Sequence, residues 1–211
     1  MPFARVRREY RGQALLESHA PAAPLPLLRR WLRDALQRGF LEPNAMTLAT
    51  VDARGRPRAR MVLLKQADAR GLTFYSNLQS AKARELNGRP HAALVLWWPE
   101  LHRQVRVEGR VARVSAAESD AYFATRPRGA QLGAWASPQS RVVRSRAALE
   151  RNLAAARARF EGADVPRPPH WGGFRLVPRA IEFWQGRPDR MHDRLRYARA
   201  AGGWRRARLG P

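Results

Sequence analysis

The chain has 211 residues, with 40 Lys and Arg against 17 Asp and Glu, a formal net charge of +23 and 45% hydrophobic residues. That apolar share supplies a core, which a disordered basic tail lacks, and the length suits one domain or a tight pair. Cysteine is absent, which excludes disulfides, thiolate nucleophiles and cysteine zinc sites, and the longest apolar run, Ala92 to Trp98, falls far short of the roughly 20 residues of a spanning helix.

The N-terminus, MPFARVRREY, carries charge without a following apolar stretch, so the cytoplasm is the simplest location. Pro24 to Phe40 places Leu27, Leu28, Trp31, Leu32, Leu36 and Phe40 mostly at i, i+3, i+4 spacing, an amphipathic helix ended near Gly39. From Met46 the period changes: MTLATVD, the Ala53–Pro57 turn and RARMVLLK form a hairpin. Asp68 to Gly71 makes a second turn and LTFYSN a third strand; Ser80 to Leu86 is a short helix with serine at its N-cap. His91 to Trp98 and Gln104 to Val114 pair as strands, and a helix from Ala116 to Thr125 ends at the Arg126-Pro127 step. Gly129 to Ser140 is a loop or short helical turn, Arg144 to Phe160 a helix, and VPRPPH a stiff connector. Phe174 to Trp184, Leu195 to Ala200 and Trp204 to Leu209 finish the chain as strands. Strands dominate and helices decorate them.

All but two of the 40 basic residues are arginine; the exceptions are Lys65 and Lys82. Either cation can attract phosphate, so the bias, with abundant Ala, Gly and Pro, reads as a compositional trend rather than a nucleic-acid surface. No G-x-G-x-x-G, P-loop or G-x-S-x-G pattern occurs. Histidines at 19, 91, 102, 170 and 192 include no i, i+4 pair, and no metal site is expected. Two clusters remain. Arg60 to Lys65 is a strand with a cation at each end, either an anion site or a core strand whose ends reach solvent. Phe74-Tyr75-Ser76-Asn77 leads into Ser80-Ala81-Lys82, where hydroxyls and a helix N-terminus suit phosphate.

Taken with RQVRVEG, YFATRPR, QLGAWASPQS, WGGFRLVPRAIEFWQG and RMHDRLRY, in that order, these segments resemble the pyridoxamine 5′-phosphate oxidase family nearly end to end. The resemblance implies a β-rich α+β fold, an FMN-binding split β-barrel with peripheral helices. It also implies a homodimer with FMN at each end of the subunit interface. Residues 1–23 would form a mobile N-terminal segment and 24–211 a single domain, with the family's C-terminal segment at about 171–211. Carried over position by position, FMN would be held by Arg60, Met61, Val62, Leu63, Leu64, Lys65, Tyr75, Ser76, Lys82, Gln104, Gln139, Ser140, Trp184 and Arg194. Arg60, Lys82 and Ser76 suit the flavin phosphate, Gln104 and Gln139 the polar edges of the ring system, and Trp184 an apolar stacking surface.

Substrate residues map to Arg7, Tyr10, Lys65, Tyr122, Arg126, Arg190 and His192. Lys65, Tyr122 and Arg126 would grip the substrate's 5′-phosphate. Arg190 and His192, on one face of an extended segment with Met191 pointing elsewhere, would place the ring and carry the catalytic role. The implied reaction converts pyridoxamine 5′-phosphate, and pyridoxine 5′-phosphate, to pyridoxal 5′-phosphate. Hydride passes from substrate C4′ to flavin N5, and O2 reoxidises the flavin with release of H2O2. Two positions depart from the family: Ala81 stands where it has arginine, and Ala130 where it has serine. Arg84 and Arg128 are the expected substitutes. Two other readings stay open, an FMN oxidase acting on another small ring and a basic dimer that binds nucleic acid; only the oxidases should purify yellow.

Overall fold

A computed structural model describes residues 9–211, so Arg7, assigned to the substrate site from sequence, lies outside the described residues. In β1 (Ala45–Val51), Met46, Leu48 and Thr50 are buried and their neighbours half-buried, the period of a strand with one face on a core. β1 pairs antiparallel with β2 (Pro57–Leu63). In the turn between them Asp52 accepts from the Arg54 and Arg56 amides, and Gly55 takes φ +80°, a backbone state that glycine enters without penalty.

Seven further strands follow: β3 (Gln66–Asp68), β4 (Gly71–Asn77), β5 (His91–Trp98), β6 (Arg103–Arg113), β7 (Trp171–Gln185), β8 (Asp193–Ala200) and β9 (Gly203–Leu209). The sheet order is β2-β1-β5-β6-β7-β4-β3, with β8 and β9 continuing from the second half of β7. The Lys65 amide donates to the Thr73 carbonyl at 2.8 Å and draws the end of β2 onto β4. The sheet therefore curls back around Leu48, Phe74, Leu94, Val107, Phe174 and Leu176. α1 (Pro24–Gln37) buries Leu27, Leu28, Trp31 and Ala35 against this core, with the Trp31 ring edge-on to Phe183 at 5.2 Å.

α2 (Ala81–Gly88) starts at Ser80, whose Oγ accepts from the Ala83 amide, and α3 (Ala116–Ala124) at a Ser115/Glu118 capping box. Most of residues 129–140, read from sequence as a loop or short helical turn, belong to a nine-residue helix, α4 (Arg128–Ala136). Its two glycines weaken the local propensity, but α4 packs on α5 (Arg146–Arg159). Leu132 and Trp135 there join a second core with Phe123, Phe160 and Trp171, and tertiary burial outweighs propensity.

Residues 10–21 lie against β8 and β9. The Leu15 amide donates to Asp193 Oδ2 at 3.0 Å, and Arg208 reaches the Leu15 carbonyl, Asp193 Oδ1 and both Glu17 oxygens. Tyr197 and Arg206 hold the Pro21 and Ala20 carbonyls. The Arg208 guanidinium pulls the Glu17 carboxyl from 4.5 to about 2. Because the folded value lies below the ordinary one, this pair contributes above pH 4.5 and is lost as pH falls towards 2. Hydrogen-exchange protection across residues 12–20, taken relative to the intrinsic rate at each pH, should therefore hold at pH 4.5 and fall on approach to pH 2. Glu17→Gln should show the faster exchange already at pH 4.5; an unchanged profile would remove the Glu17 pair from any role in holding the segment.

Candidate active site

A pocket of about 600 Å³ opens between the end of β2, β4, α3 and α4. Met61, Val62, Leu63, Lys65, Tyr75, Ser76, Lys82, Tyr122, Arg126, Ala130, Gln139 and Trp171 line it. Lys82 Nζ donates to Gln139 Oε1 at 2.8 Å and to Ser76 Oγ at 3.1 Å, and pairs with no carboxylate among the described residues. Burial pushes the Lys82 ammonium down from its usual 10.5; the Arg60 charge adds to this and Glu85 opposes it. Arg60 stands behind, with Nη2 2.7 Å from Glu85 Oε2 and Nη1 on Thr50 Oγ1. Thr50 Oγ1 donates in turn to Glu85 at 2.5 Å.

The opposite wall is aromatic. Tyr75 stacks on Tyr122 at 4.1 Å and on Trp171 at 5.3 Å, with interplanar angles of 17° and 8°. The Arg126 guanidinium lies 4.7 Å over the Trp171 ring and 5.4 Å from that of Phe123. Its Nη1 is buried without a hydrogen-bond partner among the described residues, and burial depresses its pKa. A half-buried cation held by π faces, with one buried nitrogen free, is a donor group awaiting an anion.

A second cluster forms where residues 10–12 cross the end of β7. The Tyr10 ring meets His102 at 4.7 Å, His192 at 5.5 Å and Trp184 at 5.7 Å, and the Arg190 guanidinium carbon lies 5.7 Å from its centroid. His192 Nδ1 accepts from the Arg187 amide at 3.1 Å, which leaves Nε2 to carry the proton of the neutral ring. Burial, and then the Arg190 charge, lowers its pKa from 6.5. Gln104 and Arg194 flank Trp184 on β6 and β8. Arg194 is occupied by Glu182 at 2.9 Å and the Gly210 carbonyl at 2.8 Å.

Several expectations need correcting. The segment at Arg190 and His192 is not extended: Pro188–Arg190 is a turn with Asp189 at φ +54° and Arg190 at φ +60°. Both side chains still face Tyr10 while Met191 is exposed. Gln139 Oε1 accepts from Lys82 Nζ and Ser76 Oγ, so its side chain lies with those two residues. The Leu64 side chain points into the core at 5% exposure. Ser140 is an exposed turn residue at φ +67°. Arg84 donates to the Gln79 carbonyl, and Arg128 to those of Phe160 and Ala163. Neither lines the pocket. Sequence reasoning missed Glu85, Thr50, His102 and Trp171. Of these only Glu85, three residues after Lys82 on α2, carried a signal, the helical spacing that sets two residues on one face.

The curled sheet, the cationic cradle and the aromatic wall together define a flavin-binding split-barrel enzyme. A solved FMN-binding protein from Nostoc punctiforme, related to pyridoxamine 5′-phosphate oxidases, shares the fold at TM-score 0.71 and 19% identity over 94% of this chain and all of that one. The family described as pyridoxamine 5′-phosphate oxidase matches residues 32–160, and that described as the pyridoxine 5′-phosphate oxidase C-terminal dimerisation region matches residues 171–211. The chain belongs to the pyridoxamine 5′-phosphate oxidase family of FMN-dependent oxidoreductases. A pyridoxine/pyridoxamine 5′-phosphate oxidase of Thermosynechococcus vestitus is 58% identical over 99% of both chains. One from Rubrobacter xylanophilus is 57% identical over 99% of this chain and 96% of its own. PhzG from Burkholderia lata, solved with tetrahydrophenazine-1-carboxylic acid, has a TM-score of 0.89 and 34% identity over 95% of this chain and 99% of that one.

Proposed function

We propose that the protein is a homodimeric oxidase that converts pyridoxamine 5′-phosphate and pyridoxine 5′-phosphate to pyridoxal 5′-phosphate, with O2 as the final acceptor. The observation that carries this reading is the unpartnered Arg126 guanidinium, in one pocket with Lys65 and Tyr122. Two cations and a phenol match the donors a phosphate dianion needs to leave water. The flavin phosphate falls to the neighbouring Lys82, Ser76 and Gln139, with Arg60 behind. Lys82, without a carboxylate partner, fits an anion there.

When bound, FMN supplies the hydride acceptor and hands the electrons to O2. The chain's own work is placement, an effect worth about 7–11 kcal/mol in well-oriented reactions. Arg190, His192 and Tyr10 cover the substrate ring and exclude water, and His192 presents Nε2–H as a donor. The amine consumes O2 and one water and yields aldehyde, ammonia and H2O2; the alcohol consumes O2 and yields aldehyde and H2O2. Residues 24–211 act as one flavin-binding domain, and the stretch before it sets Tyr10 against Trp184 and His192.

The two clusters lie far apart in one protomer. Trp171 in the pocket and Trp184 beside His192 are both on β7, and the thirteen residue steps from one to the other span roughly 40 Å of extended strand. Each site therefore joins the pocket of one protomer to the Tyr10–Trp184–His192 cluster of its partner, as a two-fold dimer allows. Arg126→Met and His192→Ala should each depress aldehyde formation from pyridoxamine 5′-phosphate. Unfolding and refolding the two together should restore about a quarter of wild-type activity, since half the dimers are mixed and each mixed dimer holds one intact site. No recovery would place both clusters in one protomer's site. A wild-type protein loaded with FMN that leaves both vitamers unoxidised would overturn the substrate reading.

A further inference from the structure

The cradle around Lys82 is short of positive charge. Arg60 and Lys82 bring two cations, but the Glu85 carboxylate stands 2.7 Å from Arg60. The three groups therefore sum to one positive charge, against a phosphate monoester carrying roughly −1.5 to −2. Ala81, which opens α2, adds none. Two arginines remain at this end of α2, and both are anchored on Gln79. Arg84 donates to the Gln79 main-chain carbonyl at 2.5 Å, and its side chain lines a groove with Asp52, Gly88 and Arg89 that Ala81 and Glu85 border and Lys82 does not. Arg141 Nη2 donates to Gln79 Oε1 at 3.2 Å.

Arg141 is tied to the cradle by its own turn. It follows by two residues Gln139, whose side chain accepts from Lys82 Nζ. The Arg141 amide donates to the Pro138 carbonyl at 3.0 Å, and Ser140 between them adopts φ +67°. One tight turn thus presents both the amide that touches Lys82 and a guanidinium with no carboxylate partner among the described residues. Arg141 lines a recess of about 230 Å³ that shares Gln139 with the main pocket.

We infer that Arg141 is the third cation of the flavin-phosphate cradle, an assignment that rests on the FMN reading above. Gln79 holds the side chain through one N–H, beside the turn whose Gln139 accepts from Lys82. The guanidinium fork has further donors to offer the phosphate, and the exposed side chain reaches it without losing an ion pair.

Flavin fluorescence titrations of the apoprotein test this with two ligands, FMN and riboflavin, which lacks the phosphate. Arg141→Ala should weaken FMN by about tenfold, the loss of one charge-assisted bond, and leave riboflavin unchanged. Arg84→Ala should leave both ligands within about twofold of wild type, since its guanidinium faces the outer groove. Ala81→Arg added to Arg141→Ala should recover FMN affinity by returning a cation to the helix start. Arg141→Ala binding FMN like wild type, or losing FMN and riboflavin equally, would overturn the assignment. A wild-type protein that binds neither flavin would instead refute the FMN reading, and this inference with it.

Discussion

Arg126→Met should raise KM for pyridoxamine 5′-phosphate by about a hundredfold, change kcat far less, and leave the melting temperature equal or higher. The guanidinium occupies a wall of Trp171 and Phe123, and one of its nitrogens is buried without a partner. Charge-assisted bonds from it to a phosphate contribute about 1.5–3 kcal/mol each, and about 2.7 kcal/mol in total already amounts to a hundredfold. Bonds present equally in the ground and transition states appear in KM. In the free protein the same nitrogen costs its desolvation with no hydrogen bond to offset it, and only the ring contacts stand against that cost, so removing the charge relieves a penalty. Methionine keeps an apolar stem on the indole. Steady-state kinetics with phosphorylated and unphosphorylated pyridoxamine, beside a thermal melt, would check both parts. An unchanged preference for the phosphorylated form would remove Arg126 from the substrate site.

The second large effect belongs to Gly173. A Cβ at this position would stand 2.5 Å from Val114 Cγ2 and 2.7 Å from Tyr75 Cε1, so one of them has to move. Tyr75 is poorly placed to yield, because Tyr122 and Trp171 stack on it. Overpacking of this kind costs about 1–3 kcal/mol, or about 2–4 °C of melting temperature per kcal/mol in a chain of this size. Tyr75 also lines the pocket, so Gly173→Ala should weaken FMN as well. The adjacent Gly172 supplies the contrast. Its Cβ would meet only Leu78 methyls at 3.4 Å and Ser119 Oγ at 3.5 Å, and Gly172→Ala should melt within about 1 °C of wild type or slightly above it. Equal melting temperatures for the two variants would refute the argument.

The two glycines illustrate what the sequence could carry. The strands were legible because alternation records burial on one face, as in Met46, Leu48 and Thr50 of β1. Lys65 and Lys82 stood out as the two lysines of the chain, and both line the pocket. The segment WGGFR did not say which glycine Tyr75 crosses, since that depends on a pairing across β4 and β7. The contact of Gln139 with Lys82 went unread because it spans 57 positions and two intervening helices, a separation at which local period carries nothing. The turn at Asp189 and Arg190 was hidden for a different reason: two non-glycine residues at positive φ have no compositional mark and persist only where surrounding contacts hold them. In α4, burial of Leu132 and Trp135 overruled the glycines.

β7 runs from Trp171 to Gln185, and in the dimer proposed above its two ends serve different reaction centres. A lone subunit then owns two unfinished halves and no working centre, so dissociation extinguishes turnover instead of halving it. Selection on catalysis thereby acts as selection on self-recognition. Any change that loosens the pairing of subunits is felt first as lost vitamer oxidation, even where the fold of each subunit is untouched.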